Sequence, residues 1–515
     1  MAQLDSRSSI IKGKQIYIGE SSCGGQWQSD TSGIPVQANH IFDPSCNTWQ
    51  VGAKVCIFRV PNPIMVGNRE AYLPSTVSLG PYHHNSNDRV STMNQHKQEA
   101  VRRMVSRIKR DGVSLMKRIQ NMERDIREYY EERLNCDGET LCCMMVYDAC
   151  FILEFFRCAS RTKDENPQGW FSLVFQNKDF KNCMHSAILS DIMKLENQIP
   201  LSVLIEILRL EFDHPEPELA AMLSNSELFK GFPFNASLSV EDVNDVAKSK
   251  LKDDGVKSKL REYIEKYPCY HLLDLYRIVI KDLLTPENSE SYIARRLGYV
   301  QIACPPNHSS FTSDAAESLV DKRYSPCAEE LQNAGIIFKV GQVRFRRRKW
   351  VNSKLSLPQI TVNYMTETLL RNLMAYEECQ RCSWNPEPTV ISYYIRLLDN
   401  LINSDKDVSA LRDSKVIKSL LGSDQDIVSI FNHLQIGITV DPLDRRTTPT
   451  INGREPIHEY ENIMIELKEH YDAKWNVWLA QFMKEKCSNP WYAISFLAAT
   501  GLLVMTVIQT VYTVK

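Results

Sequence analysis

Apolar residues recur at helical spacing along most of this chain. From Met93 they fall at Ala100, Met104, Val105 and Ile108, and again at Leu115, Ile119, Met122, Ile126 and Tyr129. Spacings of three and four put one apolar stripe on a helix, so both segments are predicted to be amphipathic helices. Ser91 stands where the first of them would be capped. Leu141 to Phe156 is apolar nearly all round, which predicts a helix buried on every side. Ile188 to Leu208 reads as two helical pieces meeting at Pro200, because proline disrupts the helical turn before it. Leu260 to Leu284, Thr366 to Cys382 and Val390 to Leu401 are helical in pattern, the first interrupted at Pro268. Val55 to Val60 and Ala71 to Pro81 read as extended pieces, and Ala328 to Ala334 as a short helix. Ile336–Phe338, Val343–Phe345 and Leu355–Leu357 carry strand signals, with a hairpin predicted at the turn near Gly341. A last stripe runs through Ile457, Tyr460, Met464, Leu467, Tyr471, Trp475, Trp478 and Phe482.

One uncharged run closes the sequence, from Trp491 to Val514. As a helix it would extend about 36 Å, against a hydrocarbon core of about 30 Å. Trp491, Tyr492 and Tyr512 would stand at the two interfaces, with Phe496, Leu502, Leu503 and Val507 in lipid. The pattern predicts a mainly α protein, a large helical domain with a small β-hairpin or sheet element and one C-terminal transmembrane helix. Its expected divisions are a flexible N-terminal tail at 1–54, a helical domain at 55–487 and the membrane span at 491–514. Polar, turn-rich stretches near 301–327 and 439–456 are expected to be mobile connections. Lys484 and Lys486 outnumber Lys515 beyond the run, which predicts a single-pass membrane protein with its large domain in the cytosol. Plasma membrane and endomembrane both stay open. Membrane lipid is then one expected partner and another protein the second.

Composition narrows the function. A net charge of -2 over 515 residues leaves no general footprint for nucleic acid, and none is expected as a partner. Fifteen scattered cysteines, an odd number, favour free thiols in a reducing compartment. The sequence holds no glycine-rich phosphate loop, no Gly-x-Ser-x-Gly elbow and no His-Glu-x-x-His helix. The expectation is accordingly no cofactor, no metal and no enzymatic activity.

Several polar residues nevertheless sit inside apolar segments. Asp148, Glu154, Glu196, His271 and Asp274 would be costly to bury without partners. A network with Arg59, His83, His84 and His96 or with backbone donors would supply them. The alternative is an acid–base site in a cleft, built from the same histidines and carboxylates. Cys379-Gln-Arg-Cys382 is either half a zinc site or a pair of helical cysteines. The basic stretch from Lys97 to Arg118 is a solvated helix face or a surface for anionic lipid. Arg344-Phe-Arg-Arg-Arg-Lys-Trp350 is similar to an import or RNA-binding patch, but its alternation fits a charged strand edge better.

A set of segments carries a family resemblance. In order they are Cys56-Ile-Phe-Arg-Val-Pro61, Ala71-Tyr-Leu-Pro-Ser-Thr-Val-Ser-Leu-Gly-Pro-Tyr-His-His84, Cys150-Phe-Ile-Leu-Glu154, Leu195-Glu-Asn-Gln-Ile-Pro200, His271-Leu-Leu-Asp-Leu275, Thr366-Glu-Thr-Leu-Leu-Arg-Asn-Leu373 and Ser488-Asn-Pro-Trp-Tyr-Ala-Ile-Ser-Phe496. Together they resemble the plant domain-of-unknown-function-247 family of membrane proteins, across about Val55 to Val514. Ala149 stands where that family usually has glycine, and Lys194 where it usually has leucine. The resemblance implies a mostly helical domain with a C-terminal span and no established activity. Some grass members are associated with self-incompatibility. The combined expectation is a non-enzymatic plant membrane protein for protein recognition or signalling. An unrecognised enzyme, or a structural organiser at the cytosolic membrane face, is the alternative.

Overall fold

The computed structural model describes residues 42–43, 48–49, 55–84, 93–108, 112–160, 178–226, 228–229, 233–234, 257–265, 270–286, 325–348, 353–381, 389–438, 456–473, 475, 477–478 and 490–514. The chain divides into two compact units, Met1–Ala53 and Lys54–Lys515. In the first, β1 (Phe42–Asp43) and β2 (Thr48–Trp49) pair antiparallel. The rest of the expected tail at 1–54 lies outside the described residues. So do the expected connections near 301–327 and 439–456, apart from 325–327 and Pro456.

Helices build the second unit. After α1 (Asn62–Met65) come α2 (Asn94–Arg107), α3 (Gly112–Asn121), α4 (Glu123–Glu128) and α5 (Gly138–Ser160). Then follow α6 (Lys178–Ile192), α7 (Leu201–Leu208) and α8 (Pro215–Ser224). Helix α5 is the hub of this group, because α2, α3, α7 and α8 all pack on it. That explains its all-round apolar sequence: Met145, Ala149, Cys150, Phe151 and Leu153 are all fully buried.

A second group is centred on α12 (Val390–Leu401), which meets α9 (Leu272–Leu284), α11 (Thr366–Arg381), α14 (Asp424–Leu434) and α15 (Pro456–Asp472). The buried Glu377 of α11 accepts from the Ile391 and Ser392 amides, at 3.1 and 2.8 Å, satisfying donors at the start of α12. Two short helices, α10 (Ala328–Asn333) and α13 (Asp405–Asp413), pack together at the edge of this group.

Strands are few. β3 (Ile336–Val340) runs parallel to β5 (Ser353–Leu357), and β4 (Arg344–Arg346) runs antiparallel to β5 on its other side. The hairpin expected at Gly341 is not formed, since β5 inserts between β3 and β4. The turn is tied to β5 instead, through the Gly341 amide and the Leu357 carbonyl at 2.9 Å. β6 (Ile360–Val362) pairs in parallel with β7 (Ile417–Ser419).

The chain ends in α16 (Pro490–Val514). Among the described residues, no helix is long and apolar enough to cross a membrane. The expected transmembrane helix at 491–514 is therefore corrected to a helix alone. The anchor role expected for Trp491, Tyr492, Phe496, Leu502, Leu503, Val507 and Tyr512 goes with it. Polar groups dilute the segment: after Ser495, the residues Thr500, Thr506, Gln509, Thr510 and Thr513 leave no more than four apolar side chains in succession. Leu502, Leu503, Val507 and Tyr512 are exposed on this helix.

Candidate functional site

The stretch from Ala71 to Pro81 is irregular, with no strand partner. Its buried amides and carbonyls must therefore be satisfied by side chains. The buried carboxylate of Asp191, on α6, accepts from the amides of Ser75, Thr76 and Val77 at 3.1, 2.6 and 2.9 Å. Asn197 Oδ1 accepts from Leu79 N at 2.6 Å, and Asp148 Oδ2 from Gly80 N at 2.7 Å. The carbonyls are met in the same way. Lys97 Nζ donates to Ser78 at 2.6 Å, Lys194 Nζ to Leu73 at 2.5 Å and Asn372 Nδ2 to Ala71 at 2.8 Å. The charges cancel locally, as Lys97 pairs with Asp148 at 2.5 Å and Lys194 with Asp191 at 2.9 Å. Gly80 has φ +67°, and a Cβ there would stand 2.7 Å from the Gln198 carbonyl oxygen.

A second group surrounds Glu196. Its carboxylate accepts from Val60 N at 2.8 Å and lies 2.9 Å from both Arg59 Nη1 and His83 Nε2. Arg59 also reaches Glu132 at 3.0 Å and covers the Tyr82 ring at 4.0 Å. Burial pushes the Glu196 carboxyl upward, but hydrogen bonds from His83, Val60 and Arg59 outweigh it and hold the group below its ordinary range.

The third group is the deepest. His271 caps α9 by accepting from Asp274 N at 3.2 Å through Nδ1, so its Nε2 carries the proton donated to the Cys56 carbonyl at 3.0 Å. Burial drives His271 down from 6.5 to about 4, against the opposing pull of Asp274. Asp274 pairs with Arg277 at 2.9 Å, and that guanidinium lies 5.4 Å from the centre of the Tyr376 ring. Glu154 makes a fourth group with Arg107, and Glu211 receives Arg157 at 2.8 Å beside it.

The residues expected from sequence thus divide among separate clusters. Arg59, His83 and Glu196 converge, as do His271 and Asp274, while Asp148 goes to Lys97 and Glu154 to Arg107. His84 is exposed, and His96 lies half-buried on α2. Asp191, Lys194, Asn197, Asn372 and Glu377 hold comparable positions and were not anticipated. Their signal was available in the same form, polar residues within apolar runs. The basic stretch turns largely inward or onto its own helix. Lys97 is buried, Arg102 and Arg103 meet Glu99, and Arg118 meets Glu206 at 2.5 Å. Among the described residues no group of His, Cys, Asp and Glu could hold a metal ion. Cys379 is half-buried near the Arg59 carbonyl, whereas Cys382 lies outside the described residues.

Chemically, this arrangement fixes backbone. Asp148, Asp191, Glu196 and Glu377 are occupied by amides or cations, and His271 is neutral and fully buried. The class so defined is a mainly helical body whose irregular N-terminal segment is held by buried ionic side chains. The chain belongs to the plant protein family of unknown function DUF247, whose family model matches residues 57–505. It is similar to two UPF0481 proteins of Arabidopsis thaliana. One, described as putative, is 24% identical, covering 88% of this chain and 89% of the relative. The other is 27% identical, covering 88% and 85%. No solved structure matches the chain.

Proposed function

We propose that this protein is a non-enzymatic recognition component, acting by binding another protein. The observation that supports the reading is the use of its buried ionisable groups. The histidines and carboxylates that would serve an acid–base site are spread over separate clusters and engaged by backbone amides, lysines and arginines. A general base needs a substrate proton within hydrogen-bond reach, and these carboxylates have their own donors there. Free thiols at Cys56, Cys136, Cys142, Cys143, Cys150 and Cys327 fit a body that works in a reducing compartment such as the cytosol. Self-recognition of the kind associated with some grass relatives is the narrowest form of this reading.

The test is cross-linking in plant cells, followed by reconstitution of the captured protein with the purified chain. A complex of fixed stoichiometry, retained by Glu196→Gln, is the expected result. Turnover of a metabolite by the purified chain, lost in Glu196→Gln at unchanged Tm, would overturn it. So would the absence of any partner that reconstitutes.

A further inference from the structure

A guanidinium is buried in α11 with part of its hydrogen-bonding capacity unmet. Arg371 is fully buried. Its Nε donates to Glu367 and its Nη2 to the His433 carbonyl, both at 2.8 Å. Nη1 meets no acceptor among the described residues, and neither does the hydroxyl of the fully buried Tyr72. The two groups are neighbours. Burial pushes the Tyr72 phenol up to about 12, while the charge and N–H of Arg371 oppose that rise. A phenol oxygen that accepts from Arg371 still has its own proton to place. Gln435 Nε2 is a third buried donor without an acceptor among the described residues. Buried donors are normally matched, and leaving them unmatched is costly.

Gly67, in the turn after α1, covers Nη1. A Cβ there would stand 3.0 Å from Arg371 Nη1 and 3.1 Å from Ile436 Cβ. The φ of Gly67 lies outside the left-handed region, so the backbone does not demand glycine at this position, whereas the close approach does. The surface on either side is apolar, with Val66 81% exposed and Ile436 40% exposed. The carboxylate of Glu367 lies on the Nε edge of the guanidinium, where it also accepts from Asn68 Nδ2 at 2.9 Å. Negative charge therefore reaches one edge of Arg371 and leaves Nη1 with donors alone.

We propose that Arg371 Nη1 and the Tyr72 hydroxyl bind the carboxylate of a small apolar acid, admitted where the Val66–Gly67 turn lifts. A guanidinium N–H beside a phenol O–H suits the two oxygens of a carboxylate, and charge-assisted hydrogen bonds are the strong ones. A water molecule would satisfy the same donors but would leave Val66 and Ile436 exposed. An acid with an apolar stem covers both and brings the charge that Nη1 lacks. Such a site goes beyond the protein-recognition reading and does not depend on it.

The experiment uses the full chain with phenylacetate and octanoate as probes and phenylacetamide as the uncharged control, read by titration calorimetry and by Tm. At least one acid is expected to bind saturably at one site and to raise Tm as its concentration increases, while the amide does neither. Tyr72→Phe removes only the hydroxyl. It should weaken the acid about 10-fold, with Tm unchanged when no probe is added. Gly67→Ala sets a methyl against Nη1 and should remove binding. Val66→Asp, on an exposed side chain, places a like charge at the entrance and should weaken the acid at unchanged Tm. No binding by either acid overturns the proposal, as does equal binding of the amide. Binding that survives Tyr72→Phe and Gly67→Ala unchanged puts the acid elsewhere and also overturns it. A crystal structure grown with phenylacetate that shows only a water on Nη1 and Tyr72 overturns it in favour of a structural water.

Discussion

His271 shows how one buried side chain sets the acid response of the fold. Its folded-state pKa of about 4 lies below the ordinary 6.5, so the unfolded chain takes up the proton first as pH falls. The stability it contributes is complete above pH 6.5 and is lost as pH falls from 6.5 towards 4. The span corresponds to about 3 kcal/mol. Glu196 acts lower, since its depressed pKa stabilises the fold above the ordinary carboxylate range and ceases to do so as it protonates. Denaturant unfolding at pH 7 and pH 5 should therefore show a steeper loss for wild type than for His271→Gln, and parallel losses would exclude His271 as the titrating group. Gly80 carries a different constraint. With φ +67° and the Gln198 carbonyl so close, Gly80→Ala combines a left-handed backbone with a clash. It should cost about 2 kcal/mol or more, read as a lower Tm.

At the level of elements, the unusual one is the stretch from Ala71 to Pro81, whose amides are held by carboxylates and an amide side chain rather than by a ladder. Amide hydrogen exchange should find Thr76, Val77, Leu79 and Gly80 protected as strongly as helical positions. Asp191→Asn, with one acceptor oxygen where there were two and with Lys194 left unneutralised, should lose that protection at Ser75 to Val77 first. Uniform fast exchange in the wild type would refute this account. The sequence made the helices plain, because α2, α5, α11 and α12 each present an apolar stripe or an apolar circumference. It misread 71–81 as extended in the ordinary sense, since apolar residues without helical period look alike whether their amides meet a strand or a carboxylate. The order β3-β5-β4 was equally hidden, for local turn residues favour neighbours while the Gly341 amide reaches β5. That Glu196 and Asp148 would need partners was legible from their surroundings. Arg59 and His83 were in the expected set and meet Glu196, whereas Lys97, the partner of Asp148, was not, because nothing local in its basic helical segment sets it apart from its neighbours.

On the scale of the whole molecule, contacts that close the N-terminal segment come from far along the chain. Ala71 is held by Asn372, 301 residues later, and Asn68 by Glu367, 299 residues later. These contacts have a temporal consequence in the cell. At about 5–20 residues per second, a ribosome needs roughly 15–60 s to synthesise that intervening length. Throughout the interval Ala71 and its neighbours have emerged without the helix that completes their enclosure. The nascent polypeptide must spend that time with this apolar segment only partly sheltered, which makes it a natural client for chaperones until α11 arrives.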